Sequence, residues 1–181
     1  MAVTTPEAGR PVSWDEYDAL PEDPRVEYVD GHLLVGPSPT RWHQELCIDL
    51  LTALRAALPP THGVITAWEW RTGTDAFTPD VMVYDTAAAT DERRFTGTPA
   101  LCVEVLSTNR RDDLLLKMTK YAAAGLPRYW IVDPRERTLS TFALDDGAFR
   151  PTHVLRPADG AVELDLGVAR LRLDVAALLA P

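Results

Sequence analysis

The chain is poor in cysteine, with only Cys47 and Cys102 in 181 residues. Both lie in apolar runs, and there is no CxxC and no Cys/His pair at ligand spacing. A disulfide-stapled secreted scaffold and a zinc finger are therefore excluded. No apolar run approaches the ~18 residues of a membrane-spanning helix. Residues 1–10 lack the apolar stretch of a secretory signal, so the cytoplasm is the expected location. The chain has no GxGxxG, no P-loop, no GxSxG and no HExxH, which leaves dinucleotide enzymes, P-loop NTPases, serine hydrolases of the elbow type and zinc proteases without their signatures. Positive charge is also short: 18 Lys and Arg stand against 27 Asp and Glu, a net charge of −9. That balance argues against a protein that coats nucleic acid. The deficit is uneven, since residues 1–87 carry net −9, residues 88–137 net +2 and the remainder net −2. Only the middle segment has the sign to face a phosphate backbone.

What is present is an ordinary globular mix, 46% apolar and 25% charged, rich in proline at 15 residues. Its length fits a single domain over residues 13–181, behind a flexible tail at 1–12. Ser13-Trp14-Asp15-Glu16 has the form of a capping box and predicts a short helix ending before Pro21. Asp30-Gly31 between Arg25–Val29 and His32–Val35 predicts a tight hairpin. Thr40 opens a longer helix in which Trp42, Leu46, Leu50, Leu54 and Leu58 form one apolar stripe, closed by Pro59-Pro60. Three strands follow, at Val64–Trp70, Asp80–Tyr84 and Leu101–Leu106. A helix from Asp112 or Asp113 to Ala124 ends at Gly125. Tyr129–Val132 predicts a strand, 138–144 and 148–155 a second hairpin, Arg170–Leu173 a last strand, and Asp174 caps a final helix. The order predicts a mixed α/β fold with a partly antiparallel sheet.

Charge stands where a core wants none. Glu104 interrupts the apolar strand Leu101-Cys102-Val103-Glu104-Val105-Leu106, and a carboxylate there is costly unless paired or bound to a cation. Asp80 begins the preceding strand behind Pro79. If the two strands are neighbours, their carboxylates converge as oxygen ligands suited to Mg²⁺ or Mn²⁺; the alternative is a buried ion pair between Glu104 and an arginine. On the next helix Asp113, Lys117 and Tyr121 share one face. Lys117 can steady charge growing on a phosphate, or it can pair with Asp113 in solvent. His43, on the apolar stripe with Cys47 and Leu50, reads as a core histidine. Ser107, Thr108, Asn109, Arg110 and Arg111 form a polar loop beside the site; Arg110 and Arg111, with Tyr121, are the candidates for nucleic-acid contact, and a solvated turn explains the loop equally well. Tyr129 and Trp130 read as core.

Taken together these residues resemble the PD-(D/E)XK phosphodiesterase superfamily and, more narrowly, the bacterial Uma-two family of restriction-type endonucleases. The matching stretches are Arg25–Gly31, Pro37-Ser38-Pro39 with His43, Thr78-Pro79-Asp80-Val81, Val103–Ser107, Asp112/Asp113 with Lys117 and Tyr121, and Gly125–Pro134, in order over about 13–145. The resemblance implies a restriction-endonuclease-like core of about residues 25–145, built as helix, three strands, helix, strand, with an N-terminal hairpin and a C-terminal β extension. It implies Asp80 and Glu104 as metal ligands with the Val105 carbonyl as a third, Lys117 as the catalytic ammonium, and Glu27 as a further acidic residue, for which Glu45 is a rival. The superfamily's simplest motif places the lysine two residues after the acidic one; here Leu106 stands there, and Lys117 supplies it from the helix. The implied activity is Mg²⁺- or Mn²⁺-dependent hydrolysis of nucleic acid, DNA first, by a homodimer, since cutting both strands needs two sites. A catalytically inactive binding or assembly module on the same fold is the alternative, and a hydrolase of small substrates is a further rival suggested by the net charge of −9.

Overall fold

The computed structural model describes residues 11–21, 23, 25–106 and 111–180, with the backbone alone for 111–113. Helix α1 (Trp14–Asp18) begins at the expected capping box, in which the Ser13 hydroxyl accepts from the Glu16 amide and Glu16 accepts from the Ser13 amide. Val12, expected in a loose tail, is buried, and its backbone bonds to Gly31 and to the Tyr28 hydroxyl. Strands β1 (Val26–Val29) and β2 (His32–Val35) form the first hairpin. Asp30 and Gly31 both have positive φ, 49° and 77°, which a two-residue turn matched to strand twist requires. Helix α2 (Arg41–Ala57) is capped by Thr40 and buries Leu46, Cys47, Leu50 and Leu54 along its stripe.

The expected strand 64–70 is two strands. Ala67 takes a φ of 50°, and there the chain turns from β3 (His62–Thr66) into β4 (Glu69–Arg71), which belongs to a different sheet. After β5 (Ala76–Phe77) come β6 (Val81–Asp85), β7 (Arg94–Phe95) and β8 (Leu101–Val105). Helix α3 (Arg111–Ala123) starts just before Asp112 and ends at Gly125, whose φ of 78° is the left-handed stop expected there. Strands β9 (Arg128–Asp133), β10 (Thr138–Asp145) and β11 (Ala148–Leu155) follow. Then come β12 (Ala161–Asp165), β13 (Arg170–Asp174) and α4 (Val175–Leu178), capped by Asp174. Strand β12 was not expected. Its outer side is exposed, and the ladder with β13 and the burial of Leu164 hold it in place.

A six-stranded mixed sheet, ordered β11-β10-β9-β8-β6-β3, forms the centre, and a five-stranded sheet, β2-β1-β5-β4-β7, lies beside it. Helix α2, strands β3, β6, β8 and α3 with β9 supply the helix, three strands, helix, strand of the expected core. Strand alternation sorts β8 between two cores. Leu101, Val103 and Val105 pack with α2, the β12–β13 pair and α4, while Cys102 packs on the opposite face with Tyr121, Tyr129 and residues of the five-stranded sheet. Tyr129 and Trp130 are both core, as expected. Position 104 falls on the second face, and that parity aims its carboxylate at α3.

Candidate active site

The antiparallel register of β6 on β8 pairs Val81 with Val103 and Met82 with Cys102. Asp80 stands just before β6, and its charge acts on Glu104 of the neighbouring strand. Asp80 is held at two points: Oδ2 accepts the Val105 amide at 2.7 Å, and Oδ1 lies 3.1 Å from His43 Nε2. Since a carboxylate accepts, the imidazole nitrogen carries the hydrogen in that contact.

Helix α3 brings the cation. Lys117 Nζ donates to Glu104 Oε1 at 3.1 Å and Oε2 at 3.2 Å, and to Glu27 Oε1 at 2.8 Å. One turn on, the Tyr121 hydroxyl donates to Glu104 Oε1 at 2.9 Å. Glu27, on β1, also accepts the Thr78 amide at 2.9 Å. Glu27, Glu104 and Lys117 are 4%, 4% and 3% exposed, so Lys117 is not a solvent-facing partner of its own helix, and the partner of Glu104 is a lysine rather than an arginine. A second rung lies outside the first. Lys120 pairs with Asp30 and Asp75, and Asp75 accepts the Asp30 amide at 2.8 Å. It ties the hairpin turn to α3 three residues from each partner of the Lys117–Glu27 pair.

Two carboxylates, Glu27 and Glu104, thus share one ammonium, with Asp80 a third charge nearby. Burial pushes Glu104 up to about 7; the Lys117 charge opposes the rise, Asp80 and Glu27 add to it, and the Tyr121 hydrogen bond opposes it. A carboxyl raised on folding contributes stability that is complete below its ordinary value of 4.5 and lost as pH climbs through about 7. In chelator, the melting temperature of the wild type is therefore expected to fall relative to Glu104→Gln between those two pH values. Parallel pH profiles for the two proteins count against this account.

His43, expected to be a plain core histidine, touches Asp80 instead. Its ring, the Cys47 sulfur and Asp80 offer ligand atoms within 4.8 Å of one another, so His43 and Cys47, four apart on α2, form the Cys/His pair that was not expected from the sequence. Burial, with Asp80 and Glu104 nearby, raises the Cys47 thiol to about 12. Nothing in the spacing of the α2 stripe tells the first turn from the others; the contact arises because that turn crosses the start of β6. Tyr121, expected at a nucleic-acid surface, is corrected by its burial at 0% exposure: it is a hydrogen-bond donor to Glu104 with no face to offer a ligand. Glu45 lies apart from the site and pairs with Arg41 in solvent. Val105 meets Asp80 through its amide. Arg110 and the loop 107–109 lie outside the described residues, as do the side chains of Arg111 and Asp113.

A cleft of about 610 Å³ opens over Asp80, His43, Glu27 and Lys117, walled by α2, by the segment before it and by the ends of β8 and β9. A family model described as "putative restriction endonuclease", Uma2, matches residues 14–176. The chain belongs to the Uma2 family. Among solved structures it is similar to a crystal structure of a "putative nuclease belonging to DUF820" from Anabaena variabilis, at 20% identity and a TM-score of 0.80, over 93% of this chain and 98% of that one. At that identity the likeness speaks for the fold, and the fold is that of the Uma2 core drawn above. No curated protein matches the chain. No helix among the described residues is long and apolar enough to cross a membrane.

Proposed function

We propose that this Uma2 protein is a divalent-metal-dependent endonuclease that hydrolyses phosphodiester bonds of nucleic acid, with DNA the first expectation and a homodimer the working form. The observation that carries the reading is Lys117 on Glu104, with Asp80 held beside it on the amide of the next residue, Val105. The donor set fits a hard divalent cation: Glu27 and Glu104 share the Lys117 ammonium, Asp80 adds its charge beside Glu104, and the unbalanced negative charge is what such an ion offsets. Asp80 and Glu104 would hold it, with the Val105 carbonyl as a third ligand and His43 and Glu27 at its margin. When bound, Mg²⁺ or Mn²⁺ supplies polarisation of the scissile phosphate and a more acidic water.

The protein's own groups do the rest. The Val105 amide and His43 fix the rotamer of Asp80, so that its oxygens are placed before substrate arrives. Lys117, which donates to Glu104, would be the group that steadies negative charge growing on the phosphate. Arg110 and Arg111 are proposed to reach the flanking phosphates.

The alternative, a nuclease-fold binding module without activity, draws on the same lysine, since an ammonium 3% exposed between two carboxylates is well placed for structure alone. Supercoiled plasmid incubated with the pure protein separates the two. Conversion to nicked and linear forms in Mn²⁺ or Mg²⁺, stopped by chelator, is the expected result. Intact plasmid at all metal concentrations, with the protein still bound to it, favours the module.

A further inference from the structure

We propose that the cleft over Asp80 receives unpaired nucleotides, a base stacking on Trp42, and that single-stranded rather than intact duplex nucleic acid is the substrate this protein prefers. The inference rests on the nuclease reading of the same site and adds the form of its substrate.

Three observations point the same way. The first is size. At about 610 Å³ the cleft falls within the ~300–1,000 Å³ of pockets that take small-molecule ligands, room enough for a nucleotide. The second is the chemistry of its walls. Pro37, Pro39, Trp42, Ile48 and Leu106 line the same cleft as Asp80, and Ile48 is 59% exposed. A phosphate backbone gains nothing from such walls, whereas a base freed from its partner stacks on an aromatic ring whatever its identity. Prolines before α2 keep that wall stiff, so little ordering is needed when the base enters.

The third is charge. Proteins that follow a duplex neutralise a row of phosphates with Lys and Arg. Among the described residues the cleft's cations are Arg25, Lys117 and Arg135; Arg25 is paired with Asp23 at 2.5 Å, and Lys117 lies between Glu27 and Glu104. Among the described residues these can position one or two phosphates, in a chain of net charge −9. Stacking then adds affinity beside those few charge contacts.

The test is fluorescence anisotropy on the full chain with a short fluorescein-labelled DNA single strand and the same strand annealed to its complement, in Ca²⁺ at fixed salt. The single strand is expected to bind at least about tenfold tighter than the duplex, and Trp42→Ala to lose about tenfold for the single strand so that the preference collapses. Trp42 also leans on the core, so Trp42→Phe, which keeps a stacking ring, is measured beside it and should retain most of the preference. Equal or tighter binding of the duplex overturns the inference, as does a preference that survives Trp42→Ala. If duplex is bound and cut in Mn²⁺ as readily as single strand, the nuclease reading stands and this inference falls. If neither form is bound or cut, both fall together.

Discussion

Replacing Asp80 by asparagine is expected to lower metal-dependent cleavage by about a thousandfold or more, because a divalent ion and its charge stabilisation account for several kcal/mol of the barrier. Asparagine is the better substitution than alanine for a physical reason. Asp80 Oδ2 accepts the Val105 amide at 2.7 Å, and an alanine would leave that N–H without its acceptor, at about 1–3 kcal/mol. Asparagine keeps an acceptor oxygen and removes the charge. Titration calorimetry with Mn²⁺ gives a second readout, in which Asp80→Asn should show a large loss of affinity while melting within a few degrees of the wild type. Equal cleavage by Asp80→Asn and wild type would mean that the activity is a contaminant. Unchanged Mn²⁺ binding would remove Asp80 from the metal site.

The second large effect falls on stability. Lys117→Ala leaves Glu27 and Glu104 facing each other and Asp80 with no ammonium among them, all but the last nearly sealed from water. Breaking a buried ion pair by removing one partner costs about 3–5 kcal/mol. For a chain of this length that is a fall in melting temperature on the order of 10 °C. The signature that separates charge from packing is the response to metal. In chelator the variant is destabilised in full; in Mn²⁺ the uncompensated carboxylates gain a cation, and a good part of the loss should return. Lys117→Met, which fills the same volume without charge, should behave like Lys117→Ala in chelator if electrostatics dominate. Recovery of stability by methionine alone would make the lysine a packing residue. In both variants cleavage should remain low even where metal restores the fold, since the ammonium beside the phosphate is gone.

Much of the local structure was legible in the chain. Ser13 and Glu16 cap a helix through groups three residues apart, Asp30-Gly31 and Asp146-Gly147 turn hairpins because both residues tolerate positive φ, and Gly125 stops α3 in the same way. The stripe on α2 and the apolar run of β8 follow from periodicity alone. Acidic residues in unfavourable places, Glu104 inside a strand and Asp80 at the head of another, marked the candidate site without any knowledge of pairing. Errors arose where long-range contacts overrode a local pattern. Alternation through 64–70 suggests one strand, but Ala67 adopts left-handed backbone because β4 pairs in the other sheet. Tyr121 shares a helical face with Lys117, and a polar hydroxyl on that face reads equally as surface or as a buried donor; Glu104 beneath it makes the difference.

Turns, caps and amphipathic spacing depend on residues a few positions apart, so the order of elements and the family pattern could be read directly from the amino acids. The meeting of Glu27, Asp80, Glu104 and Lys117, and the contact of His43 with Asp80, depends on strand register and on how α2 and α3 lie across the sheet. Those are settled by burial summed over two cores drawn from distant parts of the chain, and no local spacing carries that information.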